Sequence, residues 1–189
     1  MPTDDLPRYE YRAWSESFPA LPQPEGEGWQ EETYLVAPGR ADLNVKIRGS
    51  ALEIKELVSQ ESGLHLWRPS AVLEFPIPAL TLERELLDLL QLGLRLHHEH
   101  YGRDELLADI VEQRGNVFAI PLRKRRRLYE IQGCRAETAE VEIDGRKVMT
   151  AAAEHEDATR LMAAMEEMGL DRYANLAYPA ALLQLRGGR

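Results

Sequence analysis

Polar and apolar residues alternate at every second position in several short stretches of the chain, the period of a β-strand whose two faces look in opposite directions. Arg8, Glu10 and Arg12 alternate with Tyr9 and Tyr11, and Asn44, Lys46 and Arg48 alternate with Val45 and Ile47. Glu53 and Lys55 flank Ile54, Glu140 and Glu142 flank Val141, and Glu154 and Glu156 follow Ala153. Each stretch would project its charges from one side. Strands are predicted near the start of the chain and over 33–36, 43–48, 51–58, 117–129, 138–143 and 147–154, with Gly49-Ser50 and Asp144-Gly145 as hairpin turns. Residues 15–31 hold three prolines and two glycines and read as an exposed loop. The apolar stretch 65–78 is broken by Pro69, Pro76 and Pro78, which suits an edge strand or an extended crossover.

The period changes to that of a helix at Thr81. Leu82, Leu86, Leu89, Leu90 and Leu94 form a broad stripe, and Glu83 and Glu85 favour the first turn, predicting a helix over 81–100. A shorter helix over 104–112 follows, and Gly115-Asn116 returns the chain to strand. Asp157 caps a helix whose face carries Ala158, Leu161, Met162, Met165 and Met168, and Gly169 ends it. A terminal helix over 178–185 closes the pattern. Helix 81–100 has leucine on enough sides to pack on the sheet or to form a homodimer face.

Composition narrows the class. With 189 residues, 44% of them hydrophobic, the chain is long enough for one sizeable core and is expected to form a single domain over 1–189 with a helical insert at about 81–114. The net charge of -9 argues against a general nucleic-acid binder. The single cysteine, Cys134, excludes an internal disulfide and, with no apolar leader, suits a cytoplasmic protein. No stretch has the roughly 20 apolar residues that span a membrane.

The sign of the charged faces varies along the chain. Cations dominate near 46–55 and 123–127, and carboxylates near 140–156. If the strands close on one another, a basic wall faces an acidic one, and such an interior needs water, a metal or a charged ligand, because unpaired buried charge costs several kcal/mol per ion. Lys and Arg suit phosphoryl oxygens, and carboxylates suit a hard divalent cation bridging them. Both together point to polyphosphate chemistry.

The order of these motifs resembles that of the CYTH-like triphosphate tunnel metalloenzymes. RYEYR supplies Arg8, Glu10 and Arg12 at the spacing of the family's opening E-x-E-x-K, with Arg8 at the first glutamate position and Arg12 at the lysine. KIR (Lys46, Arg48) resembles its R-x-R strand, LEIKEL (Lys55) its inward lysine, and RKRRRLYEI (Lys124, Arg126, Tyr129) its later basic strand. AEVEIDG (Glu140, Glu142) and AAAEHED (Glu154, Glu156) resemble its acidic strands, and MGLDRYANLAYPAALL its close. The resemblance implies an α+β fold, a closed or nearly closed antiparallel β-barrel of about eight strands with a charged interior and helices outside.

It further implies a phosphohydrolase acting on a triphosphate or nucleotide with Mg2+ or Mn2+. Arg8, Arg12, Lys46, Arg48, Lys55, Lys124 and Arg126 would bind substrate. Glu10, Glu140, Glu142, Glu154 and Glu156 would hold metal, and Glu154, Glu156 and Lys55 would be catalytic. The alternatives are a non-catalytic module for a polyanionic small molecule, which the cation at Arg8 suits, and a class IV adenylate cyclase. His97 and His100 stand one helical turn apart, a spacing that can bind metal, with no third ligand in view. In RKRRR, Lys124 and Arg126 are expected to point inward, with Arg123, Arg125 and Arg127 on the rim or outside. Trp14, Trp29 and Trp67 suit an outer layer, or Trp29 a cover over the ligand.

Overall fold

The computed structural model describes residues 6–112 and 117–187, so the expected return to strand at Gly115-Asn116 lies outside the described residues. Eight strands close into an antiparallel barrel in the order β1-β10-β9-β8-β2-β3-β4-β5, with helices outside. They are β1 (Arg8–Ser15), β2 (Gly26–Val36), β3 (Leu43–Arg48), β4 (Ala51–Glu61), β5 (Leu64–Glu74), β8 (Phe118–Ile131), β9 (Cys134–Ile143) and β10 (Arg146–His155). Closure removes the exposed edges that an open sheet must protect. Two short strands, β6 (Ile77–Pro78) and β7 (His100–Tyr101), pair separately. The expected barrel is the one found.

By internal packing the chain divides into two compact units. The first comprises the chain up to Glu31 together with Leu57–Arg68 and Leu122–Tyr178. Its registers run from Arg146 opposite Ile143 to Glu154 opposite Arg135 between β10 and β9, and from Ser15 opposite Met149 to Tyr9 opposite His155 between β1 and β10. Asp144 and Gly145 both have positive φ, 49° and 74°, the backbone of a two-residue hairpin turn that Asp-Gly adopts readily. One face of this sheet carries Tyr11, Ala13, Tyr129, Ile131, Cys134, Ala136, Ala151 and Ala153, packed on Leu161, Ala164 and Met168 of helix α3 (Ala158–Met168). The alanines let the helix lie close to the strands. The Asp157 side chain accepts from Thr159 N at 2.7 Å, and Gly169 ends the helix at φ 65°, as the sequence predicts. Cys134 is buried there, which pushes its thiol pKa up.

The second unit comprises Glu32–Glu56, Pro69–Pro121 and the chain from Pro179. The β3–β4 hairpin turns at Gly49, φ 58°, and sends Val45, Ile47, Leu52 and Ile54 into a core with Leu82, Leu86 and Leu90 of a helical run α1 (79–90) and Leu106 and Ile110 of α2 (Arg103–Glu112). The last helix, α4 (Tyr178–Gly187), stacks Arg186 on Phe118 at 3.8 Å.

Three expectations need correction. The helix predicted over 81–100 ends at Leu90, with a π-helical stretch Glu83–Leu87 inside it and Gln91 at φ 54°. Beyond it Leu92, Leu94 and Leu96 alternate half-buried with exposed Gln91, Gly93 and Arg95, so the last leucines of the stripe follow a two-residue period in extended chain. The loop over 15–31 is shorter, because β2 already begins at Gly26. The stretch 65–78 is neither edge nor crossover over most of its length: β5 takes in Pro69 and pairs with β1, Arg8 opposite Trp67 and Glu10 opposite His65.

Candidate functional site

In the first unit the face of β1, β8, β9 and β10 opposite α3 is the inner one, and charge is gathered there. The registers set Glu10 opposite Glu154, Arg12 opposite Ala152, Ala152 opposite Glu137 and Glu137 opposite Leu128, placing Glu10, Arg12, Lys124, Arg126, Glu137 and Glu154 on this face. Glu137 is the centre. Its Oε1 accepts from Arg12 Nη1 at 2.8 Å and its Oε2 from Arg126 Nε at 2.7 Å, so one buried carboxylate joins two guanidinium groups from different strands. Burial alone would push the Glu137 carboxyl up, but Arg12, Lys124 and Arg126 outweigh it and hold the group far below the usual carboxylate range. Burial opposes the charge on Arg12 too, and Glu10, Glu137 and Tyr178 more than restore it.

Several partners fix these cations in place. Arg12 Nε donates to Glu10 at 3.1 Å and Arg126 Nη1 to Gln30 at 2.9 Å. The ring of Tyr178, first residue of α4, lies 4.7 Å from the Arg12 guanidinium carbon and 5.0 Å from Lys124 Nζ, and Trp14 packs edge-on against it. Asn175 clamps β1 from outside the ladder, accepting from Arg12 N at 2.9 Å and donating to the carbonyls of Glu10 and Gly63. Arg8 and Trp67 lie at the far end of the same face, and Arg8 reaches Glu156 at 3.5 Å.

The second unit has its own charged face. Lys46, Arg48, Glu53 and Lys55 share the side of β3 and β4 away from the apolar core, with Glu32 of β2 opposite Arg48. Lys46 Nζ lies 3.4 Å from Glu32 and 3.5 Å from Glu53, and Arg48 Nε donates to Glu53 at 2.7 Å. Glu32 is buried at 3% exposure.

Not every sequence candidate belongs to these faces. Glu140 and Glu142 lie on the outer side of β9, where Lys147 Nζ reaches them at 2.9 and 3.2 Å; their expected place on the inner face is corrected to Glu137. The lysine hydrogen bond lowers the Glu140 pKa first, with nearby cations adding to it. Arg123, Arg125 and Arg127 are outside as expected, with Arg125 and Arg127 paired to Glu27. Trp29 is on β2 and stacks under Arg123 at 4.0 Å, so it does not cover the inner site. His97 and His100 are not on a helix, the latter being in β7.

No protein-family model matches the sequence. No curated protein matches it either. Among solved structures it is similar to a Hippeastrum protein described as an adenylyl cyclase with a dominant triphosphatase activity, at 12% identity and a TM-score of 0.50 over 96% of each chain. The two chains share a fold. Structures of a Bacillus halodurans protein described as a candidate adenylate cyclase (11% identity, 80% of this chain and 78% of that one, TM-score 0.44) and of a Pyrococcus horikoshii protein (14%, 94% and 98%, 0.43) are also similar.

The acidic residues singled out in the sequence raise the question of a divalent cation. Among the described residues, no three His, Cys, Asp or Glu side chains stand together as a metal-binding group. Of the five carboxylates expected to hold metal, Glu140 and Glu142 face away, Glu10 is engaged by Arg12, Glu156 lies beside Arg8, and Glu154 lies 3.8 Å from Arg135. In this arrangement the acids are engaged as counter-charges to arginine and lysine, and among the described residues they are not gathered into a cation cage.

Sequence reasoning missed Glu137, Glu32, Tyr178 and Asn175. Only Glu137 carried a usable signal, its phase relative to the Asp144-Gly145 turn.

Proposed function

We propose that this protein binds the phosphate chain of a triphosphate or nucleotide on the inner face of its barrel, through Arg12, Lys124 and Arg126. The observation that supports this reading is their convergence around Glu137, where Lys124 is 3% exposed and Arg12 7%. Buried cations meet phosphoryl oxygens in a low-dielectric setting, where charge-assisted hydrogen bonds are strongest. Their side chains are already ordered by Glu137, Gln30 and Tyr178, so little rotamer entropy remains to be lost on binding. Gln30 is a neutral partner of Arg126, and an anion displaces it at less cost than a carboxylate. The basic face of Lys46, Arg48 and Lys55 is a second cationic surface, in the other unit, and the reading does not depend on it.

Calorimetric titration with tripolyphosphate and with ATP, in EDTA, tests it. Saturable binding is expected, unchanged in a Glu140→Gln/Glu142→Gln double variant. Titrations showing no saturable heat with either compound, in EDTA and again in Mg2+, would overturn the reading. A second reading, metal-dependent hydrolysis of a triphosphate, is favoured by one observation, the register that sets Glu10 directly opposite Glu154. Phosphate release with Mg2+ or Mn2+ that disappears in Glu154→Gln would select it over binding alone.

A further inference from the structure

We propose that Arg8 and the indole N–H of Trp67 form a metal-free anion subsite at one end of the inner face, receiving the terminal phosphoryl group of the bound phosphate chain. The inference rests on the reading above and adds to it how that end of the ligand is held.

Trp67 of β5 stands directly opposite Arg8 of β1 and shares its inner face. Opposite residues in an antiparallel pair bring their side chains together. Trp67 is 4% exposed, and its Nε1 is buried with no hydrogen-bond partner among the described residues. An indole nitrogen can only donate, so whatever completes this site must be an acceptor. A buried unsatisfied donor in a folded protein calls for such an explanation. His65, opposite Glu10 on the same face, packs edge-on against the Trp67 ring with centroids 6.4 Å apart and so fixes one side of it.

The electrostatics of this corner select an anion. Arg8 contributes a fixed positive charge, its side chain only 17% exposed, and one of its partners, Glu156, is 48% exposed and therefore displaceable. The neighbouring carboxylates are engaged elsewhere, Glu10 by Arg12 and Glu154 near Arg135. A divalent cation here would meet the Arg8 guanidinium, and among the described residues no group of acids stands ready to hold it. A phosphoryl group would accept two hydrogen bonds from the guanidinium fork and a third from Trp67. Arg8 thus supplies the charge that a metal would otherwise bring.

The test is calorimetric titration of the full chain with tripolyphosphate, in EDTA and again in Mg2+, for wild type, Trp67→Phe, Arg8→Gln and Lys124→Met. Wild type is expected to bind at least as tightly in EDTA as in Mg2+, which complexes part of the ligand, and Trp67→Phe and Arg8→Gln are each expected to weaken binding about tenfold or more. Trp67→Phe keeps an aromatic ring and removes the donor, and circular dichroism should show it folded despite the smaller side chain. Binding that Lys124→Met weakens but Trp67→Phe and Arg8→Gln leave unchanged would overturn this inference alone, as would wild-type binding abolished by EDTA and restored by Mg2+. If wild type binds no tripolyphosphate in either medium, the proposed function itself fails.

Discussion

Replacing Glu137 by alanine is expected to destabilise the protein by about 3 kcal/mol, the lower end of the range for breaking a buried ion pair. The carboxylate bridges Arg12 and Arg126, and its loss leaves the Arg12 guanidinium, 7% exposed, without its closest counter-ion. Arg126 is 28% exposed at its side chain and can recover some hydration, which keeps the effect from the upper end. Urea unfolding monitored by circular dichroism checks this, with Glu140→Ala as the control. That outer-face residue pairs with Lys147 in solvent, where screening leaves an ion pair little weight, so its loss should barely move the transition. The same carboxyl sets an acid limit. Its folded pKa lies below the ordinary 4.5, so the unfolded chain takes up the proton first. Its contribution is therefore full above about 4.5 and falls away steadily as the pH drops below it, a slope that Glu137→Gln should flatten.

Lys124→Met is expected to weaken tripolyphosphate binding roughly 10- to 150-fold, because a hydrogen bond to a charged group contributes about 1.5–3 kcal/mol. Methionine keeps an unbranched stem against the Tyr178 ring and removes only the ammonium, so the fold should survive. Arg125→Met, one position along β8 on the outer face, should bind within about threefold of wild type, the difference reflecting only the long-range field. Equal losses in the two variants would mean that charge anywhere on β8 suffices. Calorimetry at fixed ionic strength separates the outcomes.

The fold was legible where one periodicity governed a whole element. Val45, Ile47, Leu52 and Ile54 alternate with Lys46, Arg48, Glu53 and Lys55 across a glycine turn, and the β3–β4 hairpin follows. Asp157 and Gly169 bracket α3 for equally local reasons. The leucines after Leu90 misled because Leu94 fits both a helical and a two-residue period, and tertiary packing chose the second. Gly26 and Gly28 looked like loop residues, and pairing in the barrel wall overrode that weak preference.

Which side chains share a face was legible on β1, β3, β4 and β8, where the residues between the inward charges keep one character along the strand. It was misread on β9, whose outer face changes character along its length. Cys134 and Ala136 lie under α3, whereas Glu140 and Glu142 on the same face meet Lys147. The charged end alone therefore suggested the wrong phase. A two-residue turn at Asp144-Gly145 pairs even-numbered positions of β10 with odd-numbered positions of β9, so Glu154 and Glu140 cannot share a face. That constraint was present in the sequence and points to Glu137. Tyr178 and Asn175 lay beyond such reasoning, since they reach β1 from far along the chain.

The central claim, that a phosphate chain is held on the inner face beside Glu137, is tested most directly by the side-chain Nε–H resonances of the arginines in a 15N-labelled sample titrated with tripolyphosphate. The resonances of Arg12 and Arg126 should shift and saturate together, while those of Arg125 and Arg127 stay in place. Saturating shifts confined to Arg125 and Arg127, or none at any of the four, would contradict it.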